Sequence, residues 1–309
     1  MEGVLGATPL HRLARGPNGE WKGLLPLYRV RSRIFGDYLI SLPFLNHGGP
    51  LGGAGSRFHL AEDAVRQAHG LGVDLLELRT RQDWEALPNE LRRNERKVTV
   101  VLDLPSDPEE LFREGLRAKV RSQIRRPLKA GMSARFGPDE VEPFIQVFRR
   151  TMRDLGTPVL PPELFRRLPR VFGDETVFGA VYRDGRPVAA GCGFHFQGEF
   201  ELTWAGSLKE HRREAPNMLL YWAFMERAIR DEARRFDFGR CTPGSGSHKF
   251  KRQWGGRDVP LPWLQWSPQG MQAPPNPDSG RYNRAIQAWQ RLPLGLANRL
   301  GPPLARRIP

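Results

Sequence analysis

One order of elements occurs twice along this chain, and that repetition limits its fold more than any single motif. Gly23–Val30 (GLLPLYRV) reads as a strand, Arg31–Gly36 turns it, and Asp37–Leu45 returns. A glycine-rich loop, His47–Gly55, leads to a helix over Leu60–His69, then to strands at Val73–Arg79 and Lys97–Leu104. The second half repeats this. Thr176–Arg183 and Pro187–Phe196 flank the hairpin turn Asp184–Gly185, and Gln197–Gly198 turns into Glu199–Ala205. A basic loop, Lys209–Ala215, precedes a helix with Asn217 as its expected N-cap. In that helix Met218, Trp222, Met225, Ile229 and Ala233 recur at helical spacing, as core residues do. Val259–Trp266 is expected to close the second sheet. The pattern predicts an α+β protein of two tandem lobes, each a mixed, mostly antiparallel sheet with flanking helices. The expected boundaries are a first lobe at 1–105, a second at 106–268 and a Pro-rich tail with short amphipathic helices at 269–309.

A length of 309 residues is enough for two cores. The formal net charge is +14, and only seven of the 48 basic residues are lysine. Such a charge suits an anionic partner: RNA, a nucleotide or an anionic lipid. Arginine dominance also follows from genome composition alone. Cys192 and Cys241 make neither a disulfide framework nor a zinc site, and no metal is expected. Met1–Leu13 lacks the apolar run of a signal peptide, and no apolar run approaches eighteen residues. The expected location is the cytoplasm, including the inner face of a membrane. In the tail, Ile286, Trp289 and Leu292 form a small amphipathic set that packs on its own domain or on a membrane surface.

Two stretches carry candidate chemistry. Between the lobes a helix is expected over Pro108–Ala130, kinked or ended early by Pro127. Phe112, Leu116, Val120, Ile124 and Leu128 make its apolar stripe. Arg113, Arg117, Arg121, Arg125 and Lys129 make a cationic one, which is either a ligand-facing row or a solvated face. The second stretch is Phe236–Gly256, FDFGRCTPGSGSHKFKRQWGG. A short strand ends at Gly239, and Gly244 and Gly246 are free to take positive φ. Ser245 and Ser247 offer hydroxyls, and Lys249 and Lys251 project from one face of an extended segment anchored by Phe250 and Trp254. Backbone N–H groups, hydroxyls and lysines suit a phosphate or a developing oxyanion.

The LRAKVRSQIRRPLKAG segment and the GSGSHKFKRQWG segment, set in tandem lobes, resemble the FemAB-type N-acyltransferases, and most nearly their branch associated with exosortase/PEP-CTERM export systems. The resemblance runs from about Gly23 to Trp266 and includes the tail from Trp289 to Pro303. It implies two lobes of the GNAT acyltransferase fold. It also implies transfer of an acyl or aminoacyl group to an amine, as members that use aminoacyl-tRNA on peptidoglycan precursors do. The chain departs from the family in starting close to its first hairpin, in lacking a long helical arm, and in carrying Pro127 where the family helix continues.

Acyl transfer to an amine needs a neutral nucleophile, a stabilised oxyanion and a held donor. Arg212–Asn217, at the expected start of the second long helix, lacks the glycine that lets backbone approach a pyrophosphate, which disfavours a simple acetyl-CoA enzyme. Glu201 shares a strand face with Glu199 and Thr203 and is the candidate base; His195 and His248 are weaker ones. Lys251 and Lys249 are the candidate cations for donor phosphate or oxyanion. Arg117, Arg121, Arg125, Asn217, Ser245, Ser247, His248, Phe250, Arg252 and Trp254 are expected to bind substrate. The reading is a FemAB-like N-acyltransferase acting on a cell-envelope or exopolysaccharide precursor. Its donor is aminoacyl-tRNA or acyl-CoA; no tightly bound cofactor and no DNA are expected, and peripheral membrane contact is. The alternative is a non-catalytic protein of the same fold that binds a polyanion or a membrane surface.

Overall fold

The computed structural model describes residues 2–33, 35–270 and 283–308. Along the chain the strands are β1 (Thr8–Pro9), β2 (Arg12–Arg15), β3 (Trp21–Leu25), β4 (Leu27–Ser32), β5 (Gly36–Ser41), β6 (Leu51–Gly52), β7 (Leu75–Leu78), β8 (Arg92–Asn94) and β9 (Val98–Asp103). They continue with β10 (Ser133–Phe136), β11 (Thr176–Arg183), β12 (Arg186–Phe196), β13 (Glu199–Ser207), β14 (Arg235–Cys241), β15 (Arg257–Pro260) and β16 (Trp263–Trp266). The helices are α1 (Glu2–Leu5), α2 (Ala54–Leu71), α3 (Pro108–Glu110), α4 (Ala118–Lys129), α5 (Val141–Leu155), α6 (Pro162–Phe172), α7 (Pro216–Arg230), α8 (Gly246–Arg252), α9 (Asn283–Arg291) and α10 (Leu294–Ala305). The fold is α+β with mixed, mostly antiparallel sheets and flanking helices. Two compact units form: 1–98 with 260–283 and 303–309, and 99–259 with 284–302. Tail residues 271–282 lie outside the described residues.

The first unit holds a six-stranded sheet in the order β1-β4-β5-β7-β16-β8 and a three-stranded sheet β2-β3-β6. The expected single strand Gly23–Val30 is therefore two strands in two sheets. Pro26 separates them, because it cannot donate to a ladder. Leu25, Leu39, Leu60, Val65, Leu76, Leu78 and Leu264 share one buried core under α2. Gly72 ends α2 in the left-handed conformation at φ 61°.

The second unit is one seven-stranded sheet, β10-β11-β12-β13-β14-β9-β15. Alternation along its strands divides two aromatic cores. Phe178 meets Phe144 of α5, with ring centroids 5.4 Å apart. Its neighbour Gly179, with Gly191, leaves room for Phe224 of α7, since a Cβ at Gly191 would come within 2.8 Å of that ring.

Two strands sit elsewhere than the sequence pattern placed them. Val98–Asp103, expected in the first sheet, lies between β14 and β15 of the second. Trp263–Trp266, expected to close the second sheet, pairs with β7 and β8 of the first. Both are apolar runs, and period alone does not choose the sheet that takes them. The helix expected over Pro108–Ala130 is also broken. α3 runs into a π-turn at Leu111–Gly115, Leu116 and Arg117 are extended (ψ 137° and 148°), and α4 follows. Pro127 lies in the last turn of α4 and is buried, while Leu128 is 49% exposed. Pro127 thus replaces Leu128 in the apolar stripe.

Candidate active site

β13 and β14 run parallel, but only three residue pairs register: Glu199 with Arg235, Phe200 with Phe236 and Glu201 with Asp237. Beyond them β13 continues to Ser207 and β14 to Cys241. The register of β12 with β13 slips at this point, so that Leu202 and Thr203 together face Gly193. Such a bulge bends and twists one strand away from its neighbour. Gly193 permits it, because a Cβ there would meet the Glu201 carbonyl at 2.5 Å. The result is a fork. Among the described residues no strand lies along the Leu202–Ser207 edge opposite β12. Those backbone groups can receive an extended ligand with amides, as a sheet edge receives a strand.

Charge gathers where the fork opens. Phe200 and Phe236 stack at 5.5 Å on the α7 side, and Glu201 and Asp237 alternate to the other. Thr203 Oγ1 donates to Glu201 at 3.0 Å. Asp237 is buried and accepts from Thr99 Oγ1 and from the Gly239 N–H at 2.7 Å. Gly239 does not end its strand; with φ 73° it kinks a β14 that runs on to Cys241. Lys251 Nζ donates to the carbonyls of Gly239 at 2.7 Å and Arg240 at 3.0 Å. Burial lowers the Lys251 pKa, against the attraction of Cys241, Asp237 and Glu201. Tyr221 of α7 stacks among Phe238, Phe250 and Trp254, and burial, with a smaller contribution from Cys241, raises its pKa.

The expected extended loop around Lys249 and Lys251 is helical, so the two do not share a face: Lys249 is exposed and Lys251 buried. At helical geometry they stand about 200° apart, not on one side. Ser245 is the N-cap and accepts from the His248 N–H at 3.1 Å, rather than donating to a ligand. Gly244 takes φ 78°; Gly246 starts the helix and does not take positive φ. Ser247 is exposed. His248 Nδ1 accepts from the Gly244 N–H at 3.1 Å, which leaves the proton on Nε2, 3.0 Å from both oxygens of Asp258. Arg252 bonds the Gly256 carbonyl and stands 3.5 Å from Asp258. Trp254 is fully buried against Phe238 and Phe250. α8 is thus fastened beside the fork through Lys251 and Trp254, with Ser247 and Lys249 exposed, and Gln253 reaches Met218 at the start of α7.

Asn217 is not the N-cap of α7. Ala215 is, in the left-handed region at φ 56°, with Pro216 at the first helical position and Asn217 at the second. Arg212 and Arg213 are exposed just before it. The arginine row on α4 is partly spent internally. Arg121 donates to the carbonyls of Arg113 (2.9 Å) and Leu116, Arg125 lies 5.2 Å from the Phe112 ring centre, and Arg117 caps the helix exposed. His195 is half-buried, and its Nε2 has no partner among the described residues. Sequence reasoning missed Asp237, Asp258 and Tyr221. Lone aspartates carry no local signal, and Tyr221 lies inside an otherwise apolar helix.

Residues 115–252 match the family model described as Acetyltransferase (GNAT) domain. Among curated proteins none matches. Of solved structures, FemX superposes with a TM-score of 0.60 at 11% identity, covering 86% of this chain and 89% of that one. The C-terminal domain of a putative lysylphosphatidylglycerol synthetase from Agrobacterium fabrum gives 0.58 at 13%, covering 83% and 84%. A tandem GNAT protein from the clavulanic acid biosynthesis pathway gives 0.51 at 16%, covering 86% and 85%. The chain has a GNAT-type acyltransferase fold similar to these tandem structures.

Proposed function

We propose that this protein is an N-acyltransferase of the FemAB-like kind, and that the fork between β13 and β14 holds its donor. The observation that carries the reading is the ladder that stops at Glu201 and Asp237 while both strands continue. An acyl donor on an extended amide-bearing arm, acyl-CoA, pairs with the free strand edge and brings its carbonyl to the end of the ladder. An aminoacyl-tRNA donor brings its ester to the same place. Arg212 and Arg213, exposed before α7, are the cations for donor phosphate. Glu201 is the base that takes the proton of the attacking amine, directly or through water. Tyr221, on α7 and stacked on Phe238 of β14, is the donor to the leaving group. Lys251 acts by fixing the end of β14 through two carbonyls rather than as a free cation. Lys249, Arg117 and Ser247 are exposed and remain candidates for substrate contact.

The acceptor is an amine on a cell-envelope or exopolysaccharide precursor. The likeness to FemX and to a lysylphosphatidylglycerol synthetase domain supports an envelope component, and the exosortase-branch resemblance of the 116–131 and 244–255 segments supports exopolysaccharide. The test incubates the chain with acetyl-CoA or with aminoacyl-tRNA and an amine-bearing envelope extract, and follows the label by mass spectrometry. Transfer lost in Glu201→Gln is expected. No transfer from either donor, with the protein folded, favours the non-catalytic binding reading.

A further inference from the structure

Helices α9 and α10 present a surface that acyl transfer does not require. Residues 284–302, the part of this segment in the second unit, contain three arginines and not one acidic residue. Arg284, Arg291 and Arg299 are all exposed, and none has an ion-pair or hydrogen-bond partner among the described residues. Elsewhere in the chain exposed arginines are commonly paired, as Arg113 is with Glu109 at 2.8 Å and Arg166 with Glu142 at 2.6 Å. The inner faces of the two helices account for their seating. Ile286 lies against Gly156, Arg153 donates to the Leu292 carbonyl at 3.0 Å, and Ala297 and Gly301 are buried, Gly301 against Val159. The outer face of α10 is left with Leu296 and Leu300, 44% and 41% exposed, one turn apart and beside Arg299.

We infer that this outer face is a docking surface for an anionic lipid bilayer. Unpaired arginines on an acid-free segment are drawn to a negative headgroup layer, and flanking leucines enter the boundary between headgroups and acyl chains. The leucines separate this partner from a nucleic acid, which would use the arginines and leave the leucines idle. Charge separates it from an ordinary protein interface, whose buried centre is depleted of charged residues. The inference stands apart from the acyltransferase reading, because vesicle binding is measured with neither donor nor acceptor present, so the two can fail separately.

The experiment is co-sedimentation of the full chain with vesicles of phosphatidylcholine alone and of phosphatidylcholine mixed with phosphatidylglycerol, at low and at physiological salt. Binding only to the phosphatidylglycerol vesicles, weakened by salt, is expected. Arg291→Gln with Arg299→Gln should lower the partition coefficient about 25-fold, about fivefold for each charge removed. Leu296→Ser with Leu300→Ser should lower it as well, and both pairs should melt as the parent does, since all four side chains are exposed. Absence of binding to phosphatidylglycerol vesicles, or binding of either variant equal to that of the parent, overturns the inference. So does tRNA binding that needs the arginines and ignores the leucines, or a dimer that the leucine variant dissolves.

Discussion

The two units contain the same supersecondary pair in different states. In the first, β5 and β7 are parallel and register through Tyr38–Leu75, Leu39–Leu76 and Ile40–Glu77. In the second, β13 and β14 register through three pairs of the same kind, ending at Glu201–Asp237. Two residues after the last pair the first unit has Arg79, where the second has Gly239. Arg79 is buried. It pairs with Glu77 at 2.8 Å, donates from its side chain to the Leu45 carbonyl at 3.2 Å and from its backbone N–H to Ser41 Oγ at 2.7 Å, and lies over the Trp263 ring. Gln265 satisfies the other Glu77 oxygen at 2.8 Å. That fork is filled, and β5 ends one residue past its ladder. At Gly239 there is no side chain to fill the other, and β13 runs six residues further. A single arginine-for-glycine difference, with the bulge at Leu202–Thr203, distinguishes a structural pair from a candidate site.

The largest expected effect tests the open fork. Glu201→Gln should lower transfer on the order of 10²–10⁴-fold, the range for losing a positioned base, with the melting temperature held. A rate within threefold of the parent would remove Glu201 as the base and leave positioning to carry the reaction. The closed fork is tested next. Arg79→Ala strands Glu77 and should cost about 3–5 kcal/mol in urea unfolding, with the transfer rate of the folded protein unchanged. A folded but inactive Arg79→Ala protein would show that the first unit shares the chemistry, and the contrast would break.

Two smaller effects sharpen it. Burial lowers the Lys251 pKa, so between that lowered value and about 10.5 the unfolded chain binds more protons than the folded one. Parent stability should therefore rise with pH across that window relative to Lys251→Met, by at most about 1.4 kcal/mol per pH unit. Chemical denaturation at neutral and alkaline pH measures it, and a flat or falling difference would mean that the ammonium is not buried. Gly239→Ala forces a Cβ onto a left-handed residue and should cost about 1–2 kcal/mol. An unchanged stability would contradict the kink in β14.

The repeated α+β order was legible because its signals are local: Asp184–Gly185 at a hairpin, and Met218, Trp222 and Met225 at helical spacing. The exchange of Val98–Asp103 and Trp263–Trp266 between sheets was not, since an apolar strand buried on both faces fits either sheet equally well by pattern. The Gly, Ser, His and Lys composition of α8 suits an extended loop, which the structure does not form. The spacing of Phe250 and Trp254, four apart, was the helical signal, and Ser245 the cap. Glu201 is legible as a candidate from its strand position. Its parallel partner Asp237 became visible only with the ladder, because the two lie on strands separated by a whole helix.

The central claim, that the second unit's fork receives the donor and the first unit's cannot, is open to hydrogen–deuterium exchange of the full chain with and without acetyl-CoA or aminoacyl-tRNA, whichever supports transfer. Donor should slow exchange of the Leu202–Ser207 amides and leave those of Leu39–Ser41 and Leu75–Arg79 unchanged. Protection confined to the first unit's strands, or no change along Leu202–Ser207 at saturating donor, would contradict it.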